Sequence, residues 1–98
     1  MKEKDPLLRG LGQAICALRF ERGGISQEGL GLTTDVHRNY IGGIERAERK
    51  PTVEKIAVLA AALGVAPSQL LARAEREAEL YGAIRPVAEP REGATGTG

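Results

Sequence analysis

A chain of 98 residues with a net charge of +1 has room for one small domain with a single hydrophobic core. It is 42% hydrophobic but only 3% aromatic, which favours a compact all-helical bundle over a β-sandwich rich in Val, Thr, Tyr and Phe. The one cysteine, Cys16, excludes an internal disulfide and a cysteine-based zinc site, and no apolar run approaches the ~18 residues of a membrane span.

The start MKEKDPLL holds two lysines but leads into no apolar signal core, so a cytoplasmic protein is expected. Asp5-Pro6 is an N-cap followed by a proline at the first helical position. Leu8, Leu11, Ile15 and Leu18 then recur at helical spacing, so the first helix should run to about Arg22, where Gly23-Gly24 ends it. Ser26 caps a short second helix through about Thr33, and TTDV makes a turn into a third helix over 38–46. Thr52 caps a fourth helix, VEKIAVLAAAL, which stops at Gly64. A fifth runs from Ala66-Pro67 to about Tyr81. From Arg85 onward the chain is Pro, Gly, Thr and charge without periodicity, so 1–84 is expected to be the folded domain and 85–98 a disordered tail.

The stretch VHRNYIGGIE in the third helix poses a question. Gly42 and Gly43 sit together inside a short helix, where each costs about 1 kcal/mol relative to alanine. On a helical wheel Ile41, Ile44 and Glu45 point inward, while Asn39, Gly42, Gly43 and Arg46 point outward. An outward pair of glycines suggests a backbone that must come close to something.

SQEGL, the turn ending at Val36, HRNYIGGIERAERKPT and IAVLAAALGVAPSQLL together resemble the lambda-repressor-like helix-turn-helix family, the Xre or Cro-type regulators. The resemblance implies a five-helix DNA-binding domain whose third helix lies in the major groove of an operator. Carried over by position, it presents His37, Arg38 and Asn39 to base edges, and places Gly43 where the family can carry a base-reading side chain. Arg38 can donate to guanine O6 and N7, and Asn39 can pair with adenine. Gln27, Tyr40, Arg46, Arg49 and Lys50 become phosphate candidates. Arg19 is the implied partner of the inward Glu45, a structural ion pair of the kind found in this family. With no side chain at Gly42 or Gly43, the backbone can approach DNA, and alanine at Gly43 should stabilise the fold without abolishing binding.

Three departures stand out. Gly31 replaces the usual alanine, Ala47 replaces the glycine expected after the third helix, and His37 replaces a capping Ser or Thr. They suggest a loosened helix-turn-helix unit, with His37 capping poorly and serving DNA instead.

Members of the family commonly bind palindromic operators as two-fold dimers. A stripe of Leu71, Ala74, Ala78 and Tyr81 on the fifth helix is the expected homodimer seam. The RxYIxGIER style is similar to that of small proteins controlling restriction-modification genes, which implies a transcriptional regulator. An antitoxin-like module that binds its own promoter and a protein partner is the competing reading. No motif supports an enzyme, a cofactor or a metal site.

Overall fold

The computed structural model describes residues 5–80. They form five helices: α1 (Pro6–Glu21), α2 (Gln27–Thr34), α3 (Arg38–Glu45), α4 (Val53–Ala62) and α5 (Pro67–Leu80). The expected ends hold to within about a residue, the usual latitude of a fraying terminus. Tyr81 and the expected tail at 85–98 lie outside the described residues.

Local chemistry sets the starts. The Asp5 carboxylate accepts from the Leu7 and Leu8 amides at 2.8 and 3.2 Å, Ser26 Oγ from Gly29 at 2.9 Å, and Thr52 Oγ1 from Lys55 at 3.1 Å. Each satisfies an amide that the helix leaves without a partner. Gly23, Gly24 and Gly64 stop α1 and α4 with positive φ, the conformation that costs glycine nothing.

The core gathers Ile15 of α1, Leu30 of α2, Ile41 and Ile44 of α3, Leu59 of α4, Leu63 just after it and Leu70 of α5, all fully buried. α1 lies between two neighbours. A Cβ at Gly10 would overlap the Ala74 carbonyl oxygen of α5, and one at Gly12 would sit 2.5 Å from the Glu45 carbonyl oxygen of α3. Residues two apart on a helix point about 200° from each other. The two glycines therefore let α1 press against α5 on one side and α3 on the other.

This packing corrects the expected dimer seam. Ala74 and Ala78 are completely buried inside the monomer, facing α1 around Gly10. Leu71 stays 38% exposed. The stripe exists, but α1 occupies its small-residue half. Arg73 fastens the same junction by donating to Glu21 of α1 at 2.8 Å and to Glu77 at 3.1 Å. That bond holds the Glu21 carboxyl below the usual carboxylate range. Among the described residues no single helix is long and apolar enough to cross a membrane.

Candidate nucleic-acid interface

One buried carboxylate orients α3. Glu45, at its last turn, accepts from Arg19 Nε at 2.7 Å and Nη2 at 3.0 Å, and from the Gln27 amide nitrogen at 2.9 Å. Arg19 Nη1 donates to the Ile25 carbonyl at 2.7 Å. Three helices and the turn before α2 thus meet at a fork-on-fork pair whose side chains are each 9% exposed. Hydrogen bonding to Glu45 raises the Arg19 pKa above its ordinary value, against the opposing pull of burial.

The paired glycines make room for side chains of this same chain. Both are buried. A Cβ at Gly43 would lie 2.6 Å from Arg49 Cγ, and one at Gly42 would lie 3.0 Å from Arg46 Nη1 and 3.3 Å from Gln27 Oε1. The helix turns a bare strip outward, as the wheel required, but the Arg49 stem, the Arg46 guanidinium and the Gln27 amide fill it. Gly43 is therefore a seat for Arg49 and is covered, contrary to its expected place among the base readers. Alanine there would push Arg49 at its second side-chain carbon, close to the backbone, so the gain in helix propensity is offset by that overlap, contrary to the simple stabilisation expected.

The turn between α2 and α3 is tight. A Cβ at Gly31 would stand 2.5 Å from the Val36 carbonyl oxygen, so glycine is what lets the turn close. Asp35 takes the left-handed conformation at the C-cap of α2, with φ 61°.

His37 is the N-cap of α3 after all. Its Nδ1 accepts from the Asn39 amide at 3.0 Å. An accepting Nδ1 is unprotonated, which puts the proton of the neutral ring on Nε2. The exposed ring can therefore cap with one nitrogen and donate outward with the other.

Beyond the capped turn, His37, Arg38 and Asn39 are all exposed. Arg38 Nη1 lies 3.4 Å from Glu28 Oε1 of α2. At the other end Arg46 pairs with Glu48 at 3.1 Å. Tyr40 is half-buried, and its ring centroid lies 5.9 Å from the Arg49 guanidinium and 5.6 Å from Lys55 Nζ. Lys50, which follows Arg49, is also exposed and borders a concavity with Asp5 and Pro51.

Lys55 was missed in the sequence. Its signal is a cation in the first turn of a helix, a placement the helix dipole disfavours. Among the described residues no group of three or more His, Cys, Asp or Glu is placed to hold a metal ion.

The capped α2-turn-α3 unit, with polar side chains at its exposed start and cations beside it, is an arrangement suited to a nucleic acid. A helix-turn-helix family model matches residues 18–70, more than half of the chain. The chain belongs to the lambda-repressor-like helix-turn-helix family. It is a DNA-binding transcriptional regulator.

Control protein C.BamHI of Bacillus amyloliquefaciens is 40% identical over 60 residues, 61% of this chain and 74% of that protein. The restriction-modification controller protein C.AhdI from Aeromonas hydrophila shares the fold with a TM-score of 0.61 and 38% identity, over 64% of this chain and 90% of that one. The clp gene regulator ClgR from Corynebacterium glutamicum superposes with a TM-score of 0.75 at 25% identity, over 83% of this chain and 85% of the other.

The end of α3 carries a family departure with a measurable cost. Ala47 donates to Ile44 O at 2.9 Å and Glu48 to Gly43 O at 2.7 Å. These two bonds make a Schellman motif, whose left-handed position favours glycine. Ala47 occupies it with φ 60°. The turn is thus fully formed and strained, where a looser end was expected. Ala47→Gly should raise stability by about 1 kcal/mol, read as a melting temperature higher by about 4–8 °C. No rise would mean that the strain is relieved elsewhere.

Proposed function

We propose that the protein controls transcription from an operator whose major groove receives α3. His37, Arg38 and Asn39 face base edges, while Arg49, Lys55, Tyr40, Arg46 and the amino end of α2 at Gln27 hold phosphates. The supporting observation is the exposed, His37-capped first turn of α3 standing on the same unit as the Arg49–Tyr40–Lys55 cluster. Donors aimed at bases specify and cations on phosphates position. A cytoplasmic location accords with this role.

The relatives named as restriction-modification controllers favour control of such a gene set, including its own promoter, over an antitoxin role. Two copies on a palindrome would place their α3 helices about 34–36 Å apart. With Ala74 and Ala78 inside the monomer, the large apolar side chains that α5 leaves exposed among the described residues are Leu71 and Leu80.

Selection of bound DNA from a random pool at two salt concentrations tests the reading. Arg38→Ala should lose about 1–3 kcal/mol of discrimination at one base pair. Arg49→Ala should weaken all sequences alike and lower the salt slope by about one. Gly43→Ala, by unseating Arg49, should follow Arg49→Ala in kind. Equal effects of Arg38→Ala and Arg49→Ala on every base would refute the division of roles.

A further inference from the structure

α3 opens with a cation. Arg38 is its first residue and its first turn holds no acid, although the amino end of a helix carries partial positive charge that favours acids there. The missing charge comes from another helix. Glu28, in the first turn of α2, brings its Oε1 to 3.4 Å from Arg38 Nη1. Both side chains are more than half exposed, at 64% and 57%, and both border one surface concavity with His37 and Asp35. Neither residue is needed to close the core.

We infer that Glu28 is a positioning residue for base recognition: it holds one edge of the Arg38 guanidinium so that the other edge faces the groove. This rests on the reading of α3 as the base-reading helix.

The chemistry follows from the shape of the group. A guanidinium is a planar fork with five N–H donors. With Nη1 engaged by Glu28, Nε and Nη2 remain as a parallel pair, the arrangement that guanine O6 and N7 accept. Left without a partner, the same side chain would swing to the nearest phosphate, which offers affinity without sequence information. The Glu28 carboxylate also repels phosphate oxygens at that corner. Both effects favour a guanine over the backbone as the acceptor for Arg38. Arg46, held by Glu48 at the far end of α3, has no such place at its start.

The test is a double-mutant cycle on the full chain, with equilibrium binding to its selected site, to the same site with the Arg38-dependent base pair changed, and to random duplex. Glu28→Gln keeps size and one acceptor but removes the charge. It should lower discrimination at that base pair by about two- to five-fold, the range of an exposed ion pair. Discrimination elsewhere should stay unchanged, thermal stability should fall only slightly through loss of the acid in the first turn of α2, and binding to random duplex should hold or tighten. In an Arg38→Ala background the same change should have no effect on discrimination. Glu28→Asp, which keeps the charge, should retain part of the preference.

An equal effect of Glu28→Gln with and without Arg38, or a shift of the same size at every base, would show a mere surface charge and overturn the inference. A wild type that prefers bases at this position and keeps the preference in Glu28→Gln overturns it alone. A wild type with no base preference overturns the reading of α3, and this inference with it.

Discussion

Glu45→Ala should cost the domain about 3–5 kcal/mol, the usual penalty for breaking a buried ion pair from one side. The change leaves the Arg19 guanidinium, only 8% exposed as a residue, without its carboxylate, and the Gln27 amide without its acceptor. Small domains have ~5–15 kcal/mol in total, so urea unfolding should show a large fall in midpoint. The pair itself contributes far less than that. Replacing both partners with apolar residues of similar size, Arg19→Met with Glu45→Leu, should recover much of the loss, because no charge is then stranded. A loss below ~1 kcal/mol for Glu45→Ala would show that water reaches Arg19 and that the junction is not closed.

The second large effect is expected at two glycines that carry no chemistry. Gly10→Ala and Gly12→Ala should each destabilise by about 1–3 kcal/mol, the range for overpacking. In both cases the obstacle is backbone, Ala74 O for the first and the Ile44 and Glu45 carbonyls for the second, so no side chain can swing aside. Their consequences should differ. Gly10→Ala lifts α5, whereas Gly12→Ala lifts the last turn of α3 away from Arg19. Measured well below its melting point, Gly12→Ala should therefore bind DNA more weakly than Gly10→Ala. Equal binding by the two variants would mean that α3 keeps its angle without α1.

These contrasts mark what could be read from the chain alone. Asp5, Ser26 and Thr52 were recognisable as caps, and Gly23-Gly24 and Gly64 as stops, because capping is local and a few neighbours decide it. The hydrophobic spacing gave the five helices for the same reason. The Arg19–Glu45 pair was reached through the family resemblance, from a carboxylate on an apolar side.

Contacts between helices were not legible. Periodicity names the face that α5 buries but not what covers it, so Ala74 and Ala78 suited a second subunit as well as α1. The wheel placed Gly42 and Gly43 outward but had no means of foreseeing that Arg46 and Arg49 fold back over them. Glu28 beside Arg38 and Lys55 beside Tyr40 depend on the angles between helices, which spacing does not encode.

The burial of Ala74 and Ala78 against α1 has a consequence for dosage. In the proposed pair each copy would keep Ala74 and Ala78 packed against its own α1, so the two should separate without opening that junction. Newly made protein would accumulate first as folded singles, and a paired form would grow with the square of its abundance. An operator that answers only to the pair would then stay silent through early expression and switch over a narrow interval, a delay set by mass action alone.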